Sequence, residues 1–219
     1  MADFNYQVIR SGSKGNAVIL DSRIMVDCGV PWRAISGLHK KISIVLLTHI
    51  HSDHFNPTTI HRLAAERPLL RFACGQWMVK PLLDCGVDAH NIDILEDGKS
   101  YSYGSFYNIE PVSLVHDVLN FGYKIKIHGD EGKPWKKVFY ATDTGNLNGI
   151  TAPDYDLYLL EANYGEEEIK KRMDEKKVNG EYAYEHRVVK THLSIEQCND
   201  FIYENIGPNG EYVYLHQHE

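Results

Sequence analysis

Thr48-His49-Ile50-His51-Ser52-Asp53-His54 follows directly on the apolar run at residues 42–47. A short run rich in Ile, Val and Leu reads as a strand buried on both faces. His49 and His51 lie two apart, so in extended backbone their side chains leave the chain on the same side. A turn after Ser52 swings Asp53 and His54 toward a second point. One short loop thus offers three imidazoles and a carboxylate, a donor set that suits zinc and also manganese or iron. With 12 histidines in the chain, chance produces His-x-His-x-Asp-His in roughly one sequence in several hundred. Placement at the end of a buried strand, where α/β folds carry their chemistry, strengthens the metal reading.

Working outward, residues 4–10, 17–20 and 23–26 read as strands. The intervening Ser11-Gly12-Ser13-Lys14-Gly15-Asn16 is turn chemistry. It lacks the Gly-Lys-Ser/Thr ending of a phosphate-binding loop, and is either a structural turn or a loop lining the site. Residues 57–67 read as a helix, with Pro57 at its first turn and Ile60, Leu63 and Ala64 on one face. Residues 75–85 read as a second helix, weakened by Pro81. Residues 100–110, 121–128, 137–141, 157–160 and 212–215 read as strands. Residues 166–177 form a charged helix with Glu166/Lys170, Glu167/Lys171 and Glu168/Arg172 in the favoured i,i+4 order. Residues 194–204 form a helix opened by a capping box of Ser194 and Gln197. Strands with interspersed helices indicate a layered α/β protein, read here as one domain over 1–219.

The 219 residues are 43% apolar and 24% charged, ordinary for a globular protein. A formal net charge of -7 argues against a general nucleic-acid adhesive. The best local basic patch is Gly132-Lys133-Pro134-Trp135-Lys136-Lys137, either a phosphate- and base-holding element or a solvated hairpin tip. The four cysteines, Cys28, Cys74, Cys85 and Cys198, have irregular spacings and read as buried or free thiols. No apolar run reaches membrane-spanning length and no signal peptide is visible, so the expectation is a cytoplasmic protein without a membrane partner.

Thr-His-x-His-x-Asp-His after a buried strand resembles the signature of the metallo-β-lactamase superfamily. That resemblance implies a four-layer αβ/βα sandwich of two mixed sheets flanked by helices. It also implies a dinuclear site with a set order of ligands. Asp27 matches the acidic residue that braces the histidine loop. His116 matches the third histidine of the first metal, beside His49 and His51. Asp143, in Ala141-Thr142-Asp143-Thr144-Gly145, matches the bridging carboxylate. His216 matches the histidine that closes the second metal, beside Asp53 and His54. His218 competes for that place, and His216 is favoured because it lies nearest the strand end. The implied cofactors are two divalent ions, zinc foremost, with Mn2+ or Fe2+ as alternatives. The implied nucleophile is a metal-activated hydroxide, which Asp53 helps to orient.

His192-Leu193-Ser194 resembles the His-Leu-Ser or His-Ser-Thr element of the phosphodiesterase branches of that superfamily. By that resemblance His192 donates a proton to the leaving oxygen or stabilises the phosphate. The longest match is to a small bacterial exonuclease-like branch. Residues 11–16, Leu160-Glu161-Ala162-Asn163, and Asn179-Gly180-Glu181-Tyr182 leading into His192 all follow it. Glu161 is expected to support the site, and Asn163 is given no role. The chain departs from that branch after the closing histidine, where it reads Leu215-His216-Gln217-His218-Glu219. The implied activity is phosphodiester hydrolysis at nucleic-acid ends or in cyclic or linear nucleotides. The alternative is a carbonyl hydrolase of lactonase or thioesterase type, which needs the same two metals but not His192. A flavin-linked di-iron protein is disfavoured, because His51 stands where those relatives carry Glu. A metal-binding module without catalysis is disfavoured by the complete ligand set.

Overall fold

The computed structural model describes residues 5–128, 135–179, 181–182 and 184–217. The chain divides into two compact units, Met1–Tyr101 and Ser102–Glu219. Two six-stranded mixed sheets with helices make up the α/β architecture.

In the first unit, β1 (Tyr6–Arg10), β2 (Ala17–Leu20), β3 (Ile24–Val26), β4 (Ile44–Leu46), β5 (Arg71–Cys74) and β6 (Ile92–Ile94) lie side by side in chain order. The first three pair antiparallel, and β3 through β6 pair parallel. Parallel neighbours need crossover connections. Those connections carry a helical turn α1 (Trp32–Ile35) and the helices α2 (Pro57–Glu66) and α3 (Val79–Asp84). Strands β2, β3 and β4 are buried throughout, which explains their near-continuous apolar sequence. Ile60 and Leu63 of α2 join Met25, Val45, Leu47 and Phe72 in one core. Helix α2 starts where the sequence places it: the Asn56 side chain accepts from Thr59 N at 3.0 Å, and Pro57 takes the first position. The helix expected over 75–85 is instead a 3-10 turn, Gln76–Met78, followed by the short α3. Pro81 falls in the first turn of α3, where its missing N–H costs no helical bond.

In the second unit, β7 (Tyr101–Tyr103), β8 (Tyr107–Leu114), β9 (Asn120–Ile127), β10 (Lys136–Ala141), β11 (Leu157–Glu161) and β12 (Glu211–Leu215) again lie in chain order. β8, β9 and β10 pair antiparallel, and β10, β11 and β12 pair parallel. The strand expected over 100–110 is broken in two. Gly104, at φ 59, turns the chain between β7 and β8, and β8 runs on to Leu114. The helices are α4 (Glu166–Asn179), α5 (Glu185–Thr191) and α6 (Ile195–Asn205). The capping box of α6 forms as expected, Gln197 N donating to Ser194 Oγ at 3.0 Å and Ser194 N to Gln197 Oε1 at 3.0 Å. Cys198, Phe201 and Ile202 of α6 pack on Phe139, Tyr158 and Leu160. On α4 the Glu168–Arg172 pair is formed.

Residues 132–134 of the basic patch, like His218, lie outside the described residues. The patch's Lys136 bonds Asp156 Oδ1 at 2.7 Å, and Lys137 stands over the Tyr155 ring at 5.2 Å. All four cysteines are free and buried. Among the described residues no helix is long and apolar enough to cross a membrane.

Candidate metal centre

In the first unit the loop between β4 and α2 is held by its neighbours. Asn16 N donates to Asp53 O at 2.6 Å, Cys28 N to His54 O at 2.9 Å and Asn56 N to Cys28 O at 2.8 Å. Gly29 passes so close that a Cβ there would lie 1.7 Å from the Asp53 carbonyl oxygen. Asp27 leaves β3 at φ 60 and is fully buried. Its carboxylate accepts from Thr48 N at 2.9 Å and from Thr48 Oγ1 at 2.9 and 3.0 Å. It also lies 2.7 Å from His54 Nδ1. That contact places the ring proton on Nδ1, so Nε2 is the nitrogen of His54 that could take a metal. Asp27 therefore braces the loop by charge-assisted bonds at both of its ends.

His49 is fixed by Thr48 Oγ1, 2.9 Å from Nδ1. Its Nε2 lies 3.2 Å from His51 Nδ1. Two nitrogens bound tetrahedrally to one zinc at the usual bond length stand about 3.4 Å apart, so these two atoms fit one ion. Asp53 Oδ2 lies 3.6 Å from His54 Nε2 and 3.3 Å from Asn16 Nδ2. Asn16 Nδ2 also lies 2.8 Å from His54 Nε2. The Ser11–Asn16 stretch is thus a turn that also touches the histidine loop.

In the second unit the candidate residues sit at strand exits. His116 follows β8; its Nδ1 lies 2.9 Å from the Thr191 carbonyl and its Nε2 3.2 Å from Asp117 Oδ1, so Nε2 is the nitrogen that could take a metal. Burial pushes the His116 pKa down against the pull of Asp143, so the ring favours the neutral form a metal needs. Asp143 leaves β10 at φ 55 and is buried. Asn120 Nδ2 holds that turn, donating to Thr142 O at 3.0 Å and to Asp143 O at 2.7 Å. A Cβ on Gly145 would lie 2.2 Å from the Lys190 carbonyl oxygen, so this turn also needs glycine.

Glu161, at the end of β11, is fully buried and organises the rest. Oε1 lies 2.6 Å from His192 Nδ1 and 3.2 Å from His216 Nδ1. Oε2 accepts from Thr144 N at 3.0 Å and Leu193 N at 3.1 Å. With both oxygens so engaged, Glu161 holds the histidines rather than a metal. His216 leaves β12 at φ 51 and stacks on His192, with ring centroids 5.3 Å apart. Its Nε2 lies 3.6 Å from Asp143 Oδ1. Ligand atoms of Asp143, Glu161, His192 and His216 all lie within 4.8 Å of one another. The rings of His116 and His192 meet edge to face at 5.5 Å.

His192 is held by Glu161 and is partly buried. Burial is the largest single influence and lowers the His192 pKa, but the hydrogen bond and charge of Glu161, together with the charge of Asp143, outweigh it, and the net direction is upward. Asn163, given no role from sequence, clamps His216: its Nδ2 donates to His216 O at 2.8 Å and lies 3.2 Å from Nδ1. Asn16 and Asn120 were missed in the same way. In each unit the donor chemistry fits divalent metal: imidazoles oriented through their second nitrogen, and carboxylates at the exits of strands.

A family model described as Beta-lactamase superfamily domain matches residues 22–209. The metallo-beta-lactamase fold protein YhfI from Bacillus subtilis superposes with a TM-score of 0.69 at 16% identity, over 97% of this chain and 85% of that one. The short form of human tRNase Z (ELAC1) gives 0.67 at 14%, over 97% and 92%. A diphosphatase from the PhnP family gives 0.62 at 13%, over 97% and 85%. No curated protein matches the chain. At these identities the likeness is one of fold.

Proposed function

Because the chain belongs to the metallo-β-lactamase superfamily, a superfamily of metal-dependent hydrolases, we propose that it is a phosphodiesterase acting on nucleic-acid ends or on cyclic or linear nucleotides. The observation that carries this reading is the His192–Glu161 pair. An alkoxide leaving a phosphodiester needs a proton, and an imidazole can supply one near neutral pH. Glu161 fixes Nδ1 of His192, which turns Nε2 away from the carboxylate as the proton-bearing atom. The upward direction of its pKa favours the protonated form. Two neighbours in fold are named as a tRNase and a diphosphatase, which supports phosphorus chemistry over carbonyl chemistry.

His49, His51 and His116 would hold one divalent ion, and Asp53, His54 and His216 a second, with Asp143 shared. Zinc suits these donors best, and Mn2+ or Fe2+ suit them too. When bound, such a pair lowers the pKa of a coordinated water and polarises the phosphoryl group. The chain's own tasks are to orient that water through Asp53 and to protonate the departing oxygen from His192. Glu161 holds Nδ1–H and favours the imidazolium, so that Nε2–H is the proton given up and the neutral ring remains with its proton on Nδ1.

The test is hydrolysis by metal-reconstituted protein of two substrates with different leaving groups, with His192→Ala alongside. Bis-p-nitrophenyl phosphate releases a phenolate that hardly needs a proton, whereas a dinucleotide releases an alkoxide. His192→Ala should lose about 10²–10⁴-fold on the dinucleotide and far less on the aryl ester, with metal content unchanged. Equal losses on both substrates would remove the proton-donor role. No turnover of either substrate by wild-type protein with metals bound would move the assignment to lactones and thioesters.

A further inference from the structure

Helix α5 runs from Glu185 to Thr191 and delivers His192 at its end. Two contacts seat it on the loop after β8. His116 Nδ1 meets the Thr191 carbonyl at 2.9 Å, and the Arg187 guanidinium pairs with Asp117 Oδ2. Arg187 and Thr191 are four residues apart, so both lie on the face of α5 that meets this loop. The other oxygen of Asp117 lies 3.2 Å from His116 Nε2. One carboxylate therefore separates the Arg187 guanidinium from the nitrogen that could take a metal.

The Arg187 side chain is 68% exposed, and among the described residues it engages that carboxylate alone. A guanidinium carries five N–H donors in a planar fork, so most of them stay open to a ligand. An exposed ion pair contributes little to stability, which leaves the fold little need of this arginine. The surroundings are cationic. The chain carries a net charge of -7, yet α5 exposes His186, Arg187 and Lys190. The one acid of the helix, Glu185, is buried and accepts from Lys176 Nζ at 2.6 Å. Lys190 meets no carboxylate among the described residues. The helix that ends in His192 thus presents a local anion-attracting surface on an acidic molecule.

We propose that Arg187 binds a second phosphate, next to the scissile one, and so selects nucleic-acid ends over nucleotides with a single phosphate. The identity of the substrate rests on the phosphodiesterase reading of the neighbouring site; anion binding at Arg187 is measurable apart from it. Asp117 is the resting partner of the arginine. Phosphate replaces it, because the guanidinium fork donates to two phosphate oxygens at once. A cyclic mononucleotide spends its one phosphate at the scissile position and leaves Arg187 unused.

Calorimetric titration of the metal-loaded protein with thymidine 3′,5′-bisphosphate and with each thymidine monophosphate measures the gain from the second phosphate. Each protein is compared at equal metal content, checked by elemental analysis. Wild type should bind the bisphosphate about tenfold or more tighter than either monophosphate. Arg187→Ala should bring the three ligands to near parity. Arg187→Lys should keep part of the gain, as a point charge without the fork. Asp117→Asn removes the competing carboxylate and should keep or increase the gain. No gain in wild type, or an equal gain in Arg187→Ala, would overturn the site. Equal losses in Arg187→Ala and Asp117→Asn would also overturn it, because the pair would then only hold the loop. A gain that depends on Arg187, in a protein that turns over no phosphodiester, would sustain the anion site and remove the phosphodiesterase reading. Turnover of a dinucleotide with no gain from the second phosphate would do the reverse.

Discussion

Glu161 shows how much one buried side chain can decide. It holds two histidine rings and two backbone amides at once. Its hydrogen bond and charge, with the charge of Asp143, act against burial to raise the His192 pKa. An acid must be protonated to work, so activity on a poor leaving group falls as pH rises through the His192 pKa. Glu161→Gln removes the charge and lowers that pKa. The alkaline limb of kcat should therefore move to lower pH, with kcat falling most at the alkaline end. A pH profile on a dinucleotide checks this, and an unmoved limb would show that Glu161 does not act through His192. At this scale the histidines of the 49–54 loop are legible in sequence because their spacing is local. Asn16, Asn120 and Asn163 are not, because each acts on a residue distant in the chain, as Asn163 does on His216, 53 positions away. An asparagine clamp has no local pattern; its meaning comes from what folding brings near it.

The element scale repeats one device. In each sheet an Asp at positive φ leaves the strand at which antiparallel pairing gives way to parallel, and a glycine follows two residues later. They are Asp27 and Gly29 after β3, and Asp143 and Gly145 after β10. Neither glycine has room for a Cβ against passing backbone. Gly29→Ala should push the Asp53–His54 backbone away, cost about 1–3 kcal/mol of stability and deplete metal. Gly149→Ala is the control. That glycine sits at φ 78 with nothing within 4 Å, so alanine costs only backbone strain, about 1–2 kcal/mol, and spares the metal. Urea melts with elemental analysis separate the two, and a Gly29→Ala protein with full metal content would refute the steric argument. Strong local signals carried through: the buried run of β4, the Pro57 helix start and the Ser194 cap, the apolar face of α2. Strands β5 and β6 and helix α5 are short and lack a clear period, so no local pattern announced them. The β7–β8 break turned on Gly104, a single residue inside an otherwise strand-like stretch.

For the whole molecule, the proposed ligands run from His49 to His216, and each unit carries its own core. An unfolded chain does not keep such donors together, so metal binds the native state and stabilises it by mass action. At a free metal concentration a thousand times Kd, this amounts to about 4 kcal/mol. For a chain of this length each kcal/mol moves Tm by about 2–4 °C, so chelation should lower Tm by roughly 8–16 °C and zinc should restore it. Asp143→Ala isolates the shared ligand. Removing a buried carboxylate changes the apo Tm for reasons of its own, so the informative quantity is the rise on adding zinc. That rise should shrink or vanish in Asp143→Ala, with metal content falling in parallel, and should persist in His192→Ala, which alters the acid and not the ligands. If Asp143→Ala keeps two ions and the full rise, Asp143 is no bridge, and the two units must supply their metals with separate ligand sets.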